Sequence, residues 1–190
     1  MIHTITISRQ VGSLGRETAK AVADTLGWRL VQRELINQAA RQARTPEMAL
    51  AMLDDLGLLG FKPSAAEHSA YRKAVAQVMA ELVEQGSVVI VGRAGQIILR
   101  ENPGVMHVRL IAPKPVRIER IAAQQGIPLE AARAQVQASD RRRKSYCRRY
   151  YRINVDDAQL YDLVINTQHL TSAAAAQLIC RAAAILPQTG

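Results

Sequence analysis

The sequence predicts an α/β fold built around a mostly parallel sheet. Three observations carry this. Short apolar or alternating strand patterns recur at residues 2–7, 28–31, 87–91, 105–111 and 163–165. Helical patterns of apolar and small residues separate them. The run Ser87-Val88-Val89-Ile90-Val91 is continuously apolar rather than alternating, the mark of a strand covered on both faces.

Each element follows from local chemistry. Residues 2–7 (Ile-His-Thr-Ile-Thr-Ile) alternate apolar and polar with β-branched side chains and read as the first strand. Ser8 to Gly15 is a polar, glycine-containing loop. Arg16 to Leu26 places Ala19, Val22, Ala23 and Leu26 at helical spacing, and Gly27 stops the helix. Trp28 to Val31 reads as a second short strand. Residues 33–43 and 46–56 read as helices, Gly57 to Pro63 as a loop, and Ala65 to Gln85 as a long helix ended by Gly86. After the strand at 87–91 comes Gly92. Val105 to Ile111 is a strand and Pro115 to Gln125 a helix. Leu129 onward is helical and runs into a basic segment. Leu163-Val164-Ile165 reads as the last buried strand, and Thr171 to Leu186 as a closing helix capped by Thr171 or Ser172.

The chain has 190 residues, 48% of them hydrophobic, which suits one domain with a substantial core and excludes wholesale disorder. Its net charge is +9. The stretch 141–152 (Arg-Arg-Arg-Lys-Ser-Tyr-Cys-Arg-Arg-Tyr-Tyr-Arg) carries seven basic residues and no acid; removing these from +9 leaves about +2 for the other positions. The excess is local and points to a polyanion, be it nucleic acid, a phosphate-bearing ligand or an acidic membrane surface. Only 4% of residues are aromatic, which argues against a stacking platform for single strands. Cys147 and Cys180 cannot form a disulfide framework and fit a reducing compartment. The first residues lack a signal-peptide pattern, and no apolar run reaches the roughly 18 residues of a membrane span. The expectation is a cytoplasmic protein with no membrane partner.

The loop Ser8-Arg9-Gln10-Val11-Gly12-Ser13-Leu14-Gly15-Arg16-Glu17-Thr18 lies between a strand and a helix, the context of a phosphate-binding loop. The strict pattern G-x-x-x-x-G-K-[ST] is not met. Gln10 stands for the first glycine, Arg16 for the lysine, and Thr18 lies one place beyond the usual hydroxyl. Alone, the loop reads equally as a plain strand–turn–helix corner.

It does not stand alone. Ile7-Ser8-Arg9-Gln10-Val11-Gly12-Ser13-Leu14-Gly15-Arg16 resembles the I-S-R-x-x-G-S-G-G-R of the cytidylate kinase-like family, relatives of the P-loop nucleoside monophosphate kinases. Arg33-Glu34-Leu35-Ile36 is similar to its D-R-E-L-I, and Val89 to Gly95 to its V-I-x-G-R-G/A strand end. His107 to Pro113 with Arg117 and Arg120 matches a further stretch. Asp140, Arg143 and Tyr146 match D-x-x-R-x-x-Y, and Tyr161 to Thr167 its late strand. The matches run in order from residue 5 to residue 167. Leu14 replaces the family's usual glycine, and Gln32 its usual aspartate.

The resemblance implies a P-loop NTPase-like three-layer sandwich with a parallel sheet of about five strands. It implies a core at residues 1–31, 86–138 and 153–190, a helical acceptor-binding insertion at about 32–85 and an arginine-rich lid at about 139–152. The implied reaction is ATP-dependent phosphorylation of a nucleoside monophosphate, CMP or dCMP, with Mg2+, by direct transfer. Backbone amides around Gly12, Ser13, Leu14, Gly15, Arg16, Glu17 and Thr18 would hold the ATP phosphates. Arg16, Arg143 and Arg148 would neutralise charge in the transition state. Arg33, Arg93, Asp140 and Arg143 would bind the acceptor, Asp140 doing so directly or by orienting Arg143. Thr18 would lie near Mg2+. Asp162 reads as structural. Tyr146, Tyr150 and Tyr151 could stack a base or pack the lid on the body. Two other readings remain open: a catalytically weak nucleotide-binding regulator, and a nucleic-acid-binding protein that uses the basic segment. Oligomeric state is not legible.

Overall fold

The computed structural model describes residues 1–32 and 65–186. The helices expected at 33–43 and 46–56, the loop from Gly57 to Pro63, and Arg33 with Glu34 lie outside the described residues. Among the described residues five strands form one sheet: β1 (Thr4–Arg9), β2 (Arg29–Val31), β3 (Val88–Val91), β4 (Val105–Ile111) and β5 (Leu163–Asn166). Their order is β2-β3-β1-β4-β5 and every pairing is parallel. The helices among the described residues are α1 (Gly15–Leu26), α2 (Ala65–Gln85), α3 (Gly95–Ile98), α4 (Lys114–Gln125), α5 (Leu129–Tyr151) and α6 (Ser172–Ile185). A 3-10 turn, Ala158–Leu160, precedes β5.

The apolar pattern sorts into two layers, one on each side of the sheet. Ile5, Ile7, Val89, Val91, Met106, Val108, Leu110 and Ile165 pack with Ala19, Val22 and Ala23 of α1 and with Ala175, Ala176, Ile179 and Ala183 of α6. On the opposite face Val31, Val88, Ile90 and Val105 pack with Val75, Val78, Met79 and Leu82 of α2. The result is the expected three-layer sandwich. A separate small cluster, Ile118, Ile121, Ala132 and Val136, joins α4 to α5. Thr171 caps α6, its hydroxyl accepting from Ala174 N at 3.1 Å, as its place before an alanine-rich helix predicts.

β1 is covered on both faces: Thr4, Thr6 and Ser8 are all buried. β1 lies at the centre of the sheet, and Thr6 and Ser8 meet polar partners on β4. Thr6 Oγ1 is hydrogen-bonded to His107 Nδ1 at 2.7 Å, and Ser8 faces Arg109 in register. β5, read as buried, is an edge strand in which only Ile165 is buried and Val164 is 39% exposed. A short apolar run signals a strand, but its place in the sheet depends on which neighbours it finds.

The strand order sets the site. β1 sits between β3 and β4, so the loops leaving their carboxyl ends share one edge, where open parallel sheets bind ligands.

Candidate functional site

The loop after β1 is moored on its β4 side. Gln10 N donates to Leu110 O at 3.1 Å, and Gln10 Oε1 accepts from Ala112 N at 3.1 Å. Ser13 Oγ donates to Gln10 O at 2.8 Å and to Leu110 O at 3.1 Å. Thr167 Oγ1 donates to Ser13 O at 3.1 Å. The Ser13 hydroxyl thus serves the loop's shape. Gln10, out of place in the glycine pattern, is a tether.

Gly12 has φ +78°, and a Cβ there would lie 2.6 Å from the Arg117 carbonyl oxygen. Only glycine fits. Leu14, in the position where glycine is usual, adopts a left-handed φ of 57° and ψ of 21° as the residue before α1. That conformation costs a non-glycine residue about 1–2 kcal/mol, so the fold around it imposes this shape. Thr18 N bonds Leu14 O at 2.9 Å, which leaves the amides of Gly15, Arg16 and Glu17 as the open donors of the helix start. Arg16 and Glu17 are exposed beside them. Thr18 is fully buried, and its Oγ1 has no hydrogen-bond partner. The hydroxyl expected near a metal is therefore sealed beneath α1, because the helix turns this position toward the core. It does not fit a magnesium ligand as placed.

Gly92 follows β3 with φ 84°, then Arg93 with φ 54° and Ala94 with φ 59°. Gly95 N bonds Gly92 O at 3.2 Å, which closes a type I′ turn centred on Arg93 and Ala94. Two consecutive non-glycine residues in this region mark stored strain at the sheet edge. Arg93 is half-buried there. A Cβ on Gly92 would lie 2.9 Å from Arg9 Nη1, so this glycine lets the Arg9 side chain run between the two loops.

The basic segment forms the second half of α5. Asp140 is gripped by Arg117: Nη1 to Oδ1 at 3.0 Å, Nη2 to Oδ2 at 2.8 Å. Sequence spacing paired Asp140 with Arg143 on one helix face. The structure gives Asp140 to Arg117 of α4, a buried guanidinium that needs a counter-charge. Arg117 also donates to Ala112 O at 3.0 Å and Val11 O at 3.4 Å, joining α5 to the phosphate loop. Arg120 donates to Gly12 O at 3.3 Å and Thr167 O at 2.7 Å. Arg143 donates to Ser139 Oγ. Arg148 is exposed in the last turn. Tyr146 packs on Tyr150 (centroids 4.8 Å apart) and edge-on to Tyr151 (6.0 Å), and Arg72 Cζ of α2 sits 5.2 Å from the Tyr151 ring centroid. The three rings pack on one another along α5, and Tyr151 meets Arg72 of α2. Asp162 Oδ2 accepts from His107 N at 2.6 Å, a structural contact at the start of β5.

Sequence reasoning gave no role to Arg109, Asp156 or Tyr161, which form a network beside Ser8 in which Arg109 and Tyr161 are buried and Asp156 is partly exposed. An arginine between Val108 and Leu110 of a central strand was the available signal, since a buried guanidinium must be partnered. Among the described residues no group of three or more His, Cys, Asp or Glu side chains could hold a metal ion. No helix among them is long and apolar enough to cross a membrane.

Comparison with known proteins places this geometry. Residues 4–169 match the cytidylate kinase-like family. A cytidylate kinase of Pyrobaculum calidifontis is 28% identical over 167 residues, covering 88% of this chain and 85% of its own. A Corynebacterium glutamicum protein named uronate isomerase is 28% identical over 139 residues, which is 73% of this chain but only 26% of that longer protein. Among solved structures, an uncharacterized protein from Eubacterium ventriosum superposes with TM-score 0.76 at 21% identity, covering 98% of this chain and all of the other. Shikimate kinase from Acinetobacter baumannii gives 0.54 at 14% identity, covering 95% and 92%. The strand order, the moored loop before α1 and the family match agree, and the chain belongs to the cytidylate kinase-like family, with the fold of a P-loop kinase.

Proposed function

We propose that this protein transfers the γ-phosphoryl group of ATP to a nucleoside monophosphate, with CMP or dCMP as acceptor. One observation carries the reading. The open amides of the α1 start, the Arg93 turn and the helix bearing Arg143 and Arg148 are linked to one sheet edge. The amides of residues 12–16 would hold the β-phosphate of ATP, and exposed Arg16 would reach the β- and γ-oxygens with a planar fork. Arg93, and Arg33 outside the described residues, would hold the acceptor phosphate. The second half of α5, about residues 139–152, would act as the lid, with Arg143 and Arg148 closing on the phosphates. Asp140 would act through Arg117. Magnesium commonly keeps its waters and takes ligands from phosphates; Thr18 supplies none as placed, and no step is assigned to the metal. The core at 1–31, 86–138 and 153–190 with an acceptor insertion at about 32–85 is the matching domain plan.

A panel of CMP, dCMP, UMP, AMP and GMP with ATP, followed by coupled detection of ADP, tests the proposal. The expected result is turnover strongest with CMP or dCMP. ATP binding by calorimetry with no ADP release from any acceptor would instead favour the regulator, for which the sealed Thr18 hydroxyl and the strained Leu14 speak. Gel retardation of DNA or RNA at low salt would revive the nucleic-acid reading.

A further inference from the structure

Beyond the phosphate loop and α5, the molecule carries a second polar assembly, which runs from the buried Arg109 of β4 out to Asp156, whose side chain is 34% exposed. Arg109 sits on β4 with 6% of its side chain exposed. Its Nη1 donates to Ser8 Oγ at 3.0 Å and to Tyr161 Oη at 3.3 Å. Its Nη2 donates to Asp156 Oδ1 at 2.5 Å. The other oxygen of Asp156 accepts from Lys144 Nζ of α5 at 2.7 Å. Tyr161 Oη in turn donates to Val155 O at 2.9 Å, and Gln96 Nε2 of α3 donates to Tyr161 Oη at 3.3 Å.

The two ends of this assembly matter. Ser8 lies two residues before the phosphate loop begins at Gln10. Val155 and Asp156 lie just after α5, in the return segment that starts at Arg152, a non-glycine residue with φ 56°. The two bonds to Asp156 are unequal. Asp156 is itself 34% exposed, but Arg109 is desolvated and fixed by the Ser8 and Tyr161 hydroxyls, so this bond is the better held of the two. Lys144 is 61% exposed, so its bond is screened and readily exchanged.

We infer that Arg109 is a positioning residue that anchors the lid's return hinge, through Asp156, to the strand that opens into the phosphate loop, with Lys144–Asp156 as the releasable contact. This rests on the kinase reading for the lid's purpose, but the anchor itself does not. When α5 moves, Lys144 lets go while Asp156 stays on Arg109, so the hinge turns about residues 152–157. An order set at Ser8 by a bound phosphate is then felt at that hinge.

Hydrogen exchange of the full chain, with and without ATP, tests the inference in wild type, Asp156→Asn, Asp156→Glu and Lys144→Met. Without nucleotide, Asp156→Asn is expected to speed exchange of residues 152–157 at least about tenfold, Asp156→Glu to restore most of the protection, and Lys144→Met to change it little. With ATP, wild type gains protection at both 10–18 and 152–157, whereas Asp156→Asn gains it at 10–18 alone. A merely structural Asp156 would lower the melting temperature and leave the joint protection intact, which overturns the coupling. Unchanged exchange at 152–157 in the nucleotide-free Asp156→Asn protein overturns the anchor. Absence of ATP protection at 10–18 in wild type overturns the kinase reading and the coupling with it, while the nucleotide-free comparison still decides the anchor.

Discussion

Arg117 holds Asp140 with both arms of its guanidinium, at 3.0 and 2.8 Å, and the same arginine touches the phosphate loop at the Val11 carbonyl. Arg117 is 3% exposed, so its charge has no recourse to water. Asp140→Ala should therefore lower unfolding free energy by about 3 kcal/mol, the usual consequence of leaving a buried charge unpaired. Asp140→Asn, which keeps one acceptor, should cost less. Urea denaturation checks both. A residue that only bound acceptor would instead raise the acceptor KM and leave the denaturation midpoint where it was.

Gly12→Ala places a Cβ 2.6 Å from the Arg117 carbonyl in a backbone conformation with φ +78°. The combined strain should cost about 2 kcal/mol or more and displace the amides proposed to face the phosphates. Calorimetry with ATP should show affinity reduced at least about tenfold. Gly27→Ala is the control: φ is +66°, but nothing lies within 4 Å of the added Cβ. It should cost about 1 kcal/mol and leave ATP binding unchanged. Equal loss of ATP affinity in both variants would mean that the loop does not hold phosphate.

The elements were largely legible because each rests on local chemistry. The helix Ala65–Gln85 and the strand Val105–Ile111 appear with the boundaries their patterns predict. Gly27 and Thr171 end and begin helices as residues of their kind do. What pattern could not show is partnership across distant sequence. Thr6 and His107, or Arg117 and Asp140, meet only because the sheet order brings β1 beside β4 and packs α4 on α5. Spacing on one helix suggested Asp140 with Arg143, and the third dimension supplied a buried arginine with a stronger claim. Likewise the motif put Thr18 near a metal, whereas the helix phase turns it to the core.

Arg16 is exposed at the start of α1, so packing gives it nothing to do. Arg16→Ala should change stability by no more than about 0.5 kcal/mol, yet lower kcat by about a hundredfold or more if it neutralises the transferring phosphoryl group. Arg16→Lys should recover part of that loss, because charge returns but the two-pronged grip does not. Steady-state kinetics beside a melting curve separates these outcomes. A silent Arg16→Ala would remove this residue from the transfer step.

Cys147 offers a pH-dependent test of how the second half of α5 packs. It is 5% exposed, and burial pushes its thiol up from 9.0 to about 11, opposed by the nearby Arg109 and Arg143. In the folded chain the thiol therefore keeps its proton between pH 9 and 11, while the unfolded chain gives it up. The native state binds more protons there, so stability must fall as pH rises through this window and level off above it. Below pH 9 both states are protonated and the contribution is complete. The expected size is about 2 kcal/mol across the window, read as the difference in urea midpoints between wild type and Cys147→Ala at pH 8.5 and 10.5. At pH 8, iodoacetamide should label Cys180, which is only half-buried, before Cys147. Rapid labelling of Cys147 in the native protein would mean that the second half of α5 spends much of its time away from the body, with the Tyr151–Arg72 contact undone.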